Sequence, residues 1–226
     1  MKMIKEININ SYDMFCFQCE QRAGDRGCTK FGVCGKSPRI AALQDLLVFQ
    51  LKGIGYIVEK LKSMGINGAS KDINRYMVDA LFTTLTNVSF DEYPISELIL
   101  KGNGIKENLM KLLEDKELIE EAAYRAPATI ALMVEEAKDI SIPALNANED
   151  ITSLRELLIY GLKGMAAYAH HAYVQGYENQ EVYDFFYKGL SATLDDSLGA
   201  DQWVGLNMEL GQRFTKIIRK QVQETY

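Results

Sequence analysis

The sequence predicts an all-α protein: two consecutive three-helix bundles, related as an internal repeat, behind an N-terminal cysteine-rich loop. Three observations lead there. Only four prolines occur in 226 residues, and the long segments carry apolar residues at three- and four-residue spacing. The stretch "LQDLLVFQLKG" (Leu43–Gly53) aligns without a gap on "LRELLIYGLKG" (Leu154–Gly164). All four cysteines, Cys16, Cys19, Cys28 and Cys34, fall within one short stretch near the N-terminus.

Taken in order, residues 1–38 form the cysteine-rich segment. The first bundle covers 39–115. Ser37 is a natural N-cap and Pro38 suits the first helical position, while Gly65 stops the helix. Leu43, Leu46, Leu47, Gln50, Leu51 and Ile54 make one apolar stripe, broken only at Gln50. A second segment contains "ALFTTL" (Ala80–Leu85), and a third spans roughly Pro94 to Glu114. Residues 116–151 read as a connector holding one further helix, "APATIALMVEEAK", with Pro127 at its start. The second bundle, 152–226, repeats the plan with "GLSATL" (Gly189–Leu194) and a last segment from Ala200 to Glu224. Ser153 and Glu156 make a candidate capping box at its beginning. Short turns such as "MGINGAS" and "QGYENQ" suit antiparallel neighbours.

Composition narrows the function. A chain of this size buries roughly 70% of its unfolded surface and needs no covalent staples. A formal net charge of −6 argues against a nucleic-acid partner, because phosphate binding wants a basic face. No secretory leader and no membrane-spanning run of about 18 uncharged apolar residues is legible, so the chain reads as cytoplasmic. Thiols there stay reduced.

Some helix residues invite functional readings that simpler ones outweigh. His170 and His171 point about 100° apart on a helix and are poorly placed to share an ion; one is expected to be satisfied locally and one exposed. The aromatics of "EVYDFFYKG" read as core, and Asp195 and Asp196 as turn chemistry.

The cysteines are spaced Cys-x2-Cys-x8-Cys-x5-Cys. A Cys-x2-Cys pair presents two sulfurs from one turn, and Gly24 and Gly27 let the chain loop back. Three chemistries compete. Disulfides fit a reduced compartment poorly. A structural zinc site favours two short arms of paired cysteines, which the Cys28–Cys34 gap does not supply. An iron–sulfur cubane tolerates unequal gaps because its irons are separate corners. Arg22, Arg26, Lys30 and Lys36 outnumber Glu20 and Asp25 in this segment and would favour a negatively charged centre; each also reads as an ordinary solvated loop residue.

The residues "MFCFQCEQ…GCTKFGVCGKSP…AALQDLL", with "LLIYGLKGMAAYAHHA" and "LDDSL", resemble the N-terminal part of the hybrid cluster proteins. These are also called hydroxylamine reductases or prismanes, and are distant relatives of the nickel carbon monoxide dehydrogenases. The resemblance covers nearly the whole chain. It implies a [4Fe–4S] cubane on Cys16, Cys19, Cys28 and Cys34, since the spacing is similar to that of the anaerobe-type members rather than of those with wider gaps and a [2Fe–2S] centre. It also implies a first domain of two three-helix bundles, and reduction of hydroxylamine to ammonia or of nitric oxide to nitrous oxide. In the family the catalytic hybrid iron–sulfur–oxygen cluster takes its ligands mostly from later α/β domains. This chain has no cysteine after Cys34, so no catalytic residue is assigned to it. The implied partners are an electron-donor protein and either further domains or a separate chain carrying the hybrid cluster. The alternatives are a helical binding module stapled by a cluster or zinc, and a redox sensor.

Overall fold

The computed structural model describes residues 13–21, 23, 27–113, 117–140 and 148–225, with side chains to residue 218. Arg22, Gly24, Asp25 and Arg26, and part of the connector, lie outside the described residues.

Eight α-helices and no strand occur among the described residues. The Ser37 hydroxyl opens α1 (Pro38–Ser63) by accepting the Ile40 N–H at 3.2 Å. Gly65 closes it in the left-handed region, φ 77°, while the Ile66 N–H returns to the Leu61 carbonyl at 2.9 Å. The next helices are α2 (Lys71–Thr83) and α3 (Glu92–Met110), capped by Ser70 and Asp91. The connector holds two short helices rather than one, α4 (Glu120–Ala123) and α5 (Ile130–Glu136), followed by a 3-10 turn at Ala137–Asp139. Thr129 caps α5 by accepting from Leu132 N–H, which leaves Pro127 ahead of the helix instead of opening it.

The second half repeats the order with α6 (Glu149–Val174), α7 (Gln180–Ala192) and α8 (Ala200–Thr225). Asn148 caps α6 through its Oδ1, which accepts the Asp150 N–H at 2.9 Å. The expected capping box at Ser153 is therefore corrected: that residue sits inside the helix, which begins upstream where the Asn148 side chain satisfies the free Asp150 amide. Gly176 ends α6 as Gly65 ends α1, with φ 90° and the Tyr177 N–H on the Ala172 carbonyl at 2.9 Å. These two glycines are separated by the same offset as Leu43 and Leu154. Thr84 and Thr193, equivalent in "ALFTTL" and "GLSATL", are both buried, and each donates its hydroxyl to the carbonyl three residues back.

Packing is exchanged between the halves. α1 lies on α3 and also on α7; α6 lies on α8 and also on α2. One apolar cluster therefore runs through both halves, from Leu43, Leu47 and Ile54 to Leu158, Leu162, Phe186 and Trp203. The aromatics Tyr183, Phe185, Phe186 and Tyr187 are core residues, as their spacing suggested. Gln50, the break in the α1 stripe, is fully buried and donates to Asn103 Oδ1 at 2.8 Å; Asn103 in turn holds both backbone groups of Ala126. Lys106 donates to the carbonyls of Glu121 and Tyr124, and burial lowers it to about 8. These bonds clamp the connector onto α1 and α3. Among the described residues α1 alone is long and apolar enough to cross a membrane, but 72% of that window is buried against the other helices.

One close approach yields a test. A Cβ on Gly53 would stand 2.1 Å from the Glu121 carbonyl oxygen. Gly53→Ala should drive α4 off α1 at a cost of about 1–3 kcal/mol, only partly offset by alanine's better helix propensity. Urea unfolding should show a lower midpoint.

Candidate functional site

The cysteine loop is built from backbone pairing. Cys16 and Cys28 form an isolated antiparallel bridge: the Cys16 N–H donates to the Cys28 carbonyl at 3.1 Å and the Cys28 N–H to the Cys16 carbonyl at 2.8 Å. Directly opposed residues project to the same face, with Cβ atoms about 5 Å apart. The first and third cysteines are thus brought together across the long gap. Gly27 makes this approach feasible. Its φ of 148° and the 3.0 Å between a would-be Cβ and the Cys16 carbonyl oxygen leave no room for a side chain. Cys34 rides on a tight turn in which the Gly32 N–H reaches the Lys36 carbonyl at 2.8 Å. Its Sγ folds back over Gly32, 3.2 Å from where a Cβ would be.

Met14 and Cys28 pack on Ala41 of α1, with Cys16 against them, so a small apolar cluster seats the loop on the helical body. All four cysteines are free; Cys28 is buried and the others are half-buried. Cys28 Sγ accepts the Ala23 N–H at 3.3 Å. Burial pushes the Cys16 thiol up, opposed by Lys36 and a backbone hydrogen bond at Gln18. Lys36 is buried, 3% exposed, whereas Lys30 is exposed. Among the described residues no three Cys, His, Asp or Glu converge on a point where they could hold one metal ion. The donor set nevertheless suits an iron–sulfur centre: four reduced thiols on one loop, one already receiving an amide, where each iron needs a single protein thiolate.

The other sequence candidates are dispersed. His171 is exposed, and His170 Nδ1 lies 2.8 Å from Asp79 Oδ1 on α2, a partner far away in sequence rather than a local one. Asp195 accepts from the Ser197 N–H and hydroxyl, as turn chemistry requires. Asp196 instead pairs with Arg155 at 3.0 Å.

Sequence reading missed a set of charged groups beneath the loop. A cavity of about 290 Å³ is lined by Gln18, Asp45, Lys52, Arg155, Glu156 and Lys163, among others. Lys163 is buried, 2% exposed, and Arg155 is 7% exposed with its guanidinium 5.3 Å from the Trp203 ring. The signal was in the repeat: Asp45 and Lys52 occupy the positions in Leu43–Gly53 that Glu156 and Lys163 occupy in Leu154–Gly164.

Residues 14–218 match the Prismane/CO dehydrogenase family. The chain belongs to this family. Among curated relatives, the hydroxylamine reductase of Methanosarcina mazei is 42% identical over 221 residues, covering 94% of this chain and 39% of the relative. That of Acetivibrio thermocellus is 41% identical, covering 91% and 37%, and that of Desulfitobacterium hafniense 43% identical, covering 88% and 37%. The chain thus spans under two fifths of the length of these relatives. The prismane-family match begins at Met14, next to the first cysteine, and so includes the whole cysteine loop.

Proposed function

We propose that this chain is an iron–sulfur electron-transfer module of a hydroxylamine-reductase-type oxidoreductase. Cys16, Cys19, Cys28 and Cys34 hold a [4Fe–4S] cubane at the edge of a doubled three-helix body. The observation that carries the reading is the loop of four free thiols, folded by the Cys16–Cys28 bridge, in a chain of this family. When bound, the cubane supplies reversible one-electron chemistry. The protein's part is to supply thiolates, to donate the Ala23 amide to Cys28 Sγ, and to place the buried Lys36 cation near Cys16. Both tend to stabilise negative charge on the loop. The catalytic hybrid cluster, with reduction of hydroxylamine or nitric oxide, belongs to residues outside this sequence, because no cysteine follows Cys34. An electron-donor protein and the polypeptide carrying that cluster are the partners, and the cytoplasm is the setting.

The reading has a kinetic test. Anaerobic protein reduced with dithionite should bleach and then recolour on addition of a one-electron acceptor, with its iron retained. By itself it should consume no hydroxylamine above a protein-free blank. Steady hydroxylamine turnover by this chain alone would refute the assignment of catalysis elsewhere.

A further inference from the structure

Asp45 and Lys52 on α1, and Glu156 and Lys163 on α6, stand at equivalent positions of the two sequence repeats. The structure brings them to the wall of one cavity. Burial is the largest influence on Asp45 and on Lys52, and among charged neighbours the strongest cross between the halves: Lys163 on Asp45, and Glu156 on Lys52. Yet no direct hydrogen bond or contact-distance ion pair joins any of the four to another among the described residues. Nearby, Arg155 Nε and Gln18 Oε1 are buried without a partner. Lys163 is buried while Asp45, Lys52 and Glu156 are half-buried at the cavity wall; charge held back from bulk water without a direct partner is costly, and a polar cavity of this volume has room for several waters to bridge it.

The two halves of this quartet are not equivalent toward the cysteine loop. Asp45 and Lys163 act on the Cys16 thiol, along with Lys36. Gln18, which lies between Cys16 and Cys19, lines the cavity as well. The remaining charged groups on the wall are Glu120 and Glu121 of α4, Asp139 of the 3-10 turn, and Asp196 in its pair with Arg155.

We propose that Asp45 takes up a proton from the cavity when the iron–sulfur centre held by the cysteine loop gains an electron. The inference rests on the electron-transfer reading above. Its balance is simple. One electron comes from a one-electron reductant and one proton from bulk solvent, relayed as hydronium through the cavity water; an O–H bond of the hydronium breaks as the O–H on the Asp45 carboxylate forms, leaving neutral water behind. An added negative charge in a poorly solvated region raises the proton affinity of a carboxylate that acts on it, and Asp45 is the carboxylate that acts on the Cys16 thiol. Asp45 is suited to respond near neutral pH, because burial lifts its carboxyl to about 6 against the opposing pull of Lys163 and Lys36. Lys163, which burial lowers to about 8, stays largely protonated at pH 7 and keeps the carboxylate ionised before reduction.

The experiment uses the full chain, purified anaerobically, with iron, sulfide and paramagnetic resonance measured first. Its midpoint potential is then titrated with dithionite between about pH 5 and 9. The potential should fall as pH rises above about 6, approaching 59 mV for each tenfold drop in proton concentration. Asp45→Asn should bind the same iron and flatten this slope. Glu156→Gln, the equivalent change on the far side of the quartet, should keep it. Should Asp45→Asn fail to fold, Lys163→Met should move the sloping window about one pH unit upward, since the carboxylate loses its cation. A pH-independent potential in the wild type, or an unchanged slope in Asp45→Asn, overturns the proposal while leaving the cluster in place. Absence of iron overturns the electron-transfer reading itself, and is seen before any potential is measured.

Discussion

Replacing Cys28 by serine should lower bound iron from about four per chain to below one, with helical content unchanged. Cys28 is the buried member of the set, pairs its backbone with Cys16 and receives the Ala23 amide on its sulfur. A serine hydroxyl would fit the same space but remains protonated near neutral pH and is a poor ligand for iron. The helices should survive because the loop's apolar contacts, Met14, Cys28 and Ala41, form a cluster separate from the main core. Iron and sulfide analysis beside far-ultraviolet circular dichroism checks both halves of the expectation. A serine variant that still carries four irons would exclude Cys28 as a ligand.

Trp203→Ala should have the opposite signature, a large loss of stability by a route that starts in the core. The indole is fully buried, donates from Nε1 to the Leu198 carbonyl at 3.2 Å and supports the Arg155 guanidinium. Truncating a buried aromatic costs about 3–5 kcal/mol, which lowers the melting temperature of a chain this size by roughly 10 °C. Trp203→Phe keeps much of the volume and should recover more than half of the loss. An unchanged melting temperature in the alanine variant would mean that α8 does not depend on this anchor.

The elements that could be read from the residues were those fixed by local chemistry. Ser37, Pro38 and Gly65 delimit α1 because capping and a left-handed stop are decided within one turn. The Leu43–Ile54 stripe is buried because periodicity identifies an apolar face. The cysteine loop was equally legible, four thiols at a recognisable spacing. Periodicity does not say which face meets which, so the packing of α2 on α6 and of α7 on α1 was hidden. The Asp79–His170 contact was hidden for the same reason. Ser153 was misread because a capping signal inside a helix looks the same as one at its start, and Asn148 captures the Asp150 amide upstream. The Asp45–Lys163 and Lys52–Glu156 quartet escaped notice because charged residues on an amphipathic helix ordinarily face water. Only their matching places in the two repeats, together with the exchanged packing, show that they face each other.

The central claim is that the four early thiols hold a four-iron cluster, and paramagnetic resonance with iron and sulfide counts on anaerobic protein tests it most directly. The account predicts a brown protein with about four irons and four sulfides per chain, silent when oxidised and paramagnetic after uptake of one electron. Colourless protein containing a single zinc ion, with no signal on reduction, would contradict it.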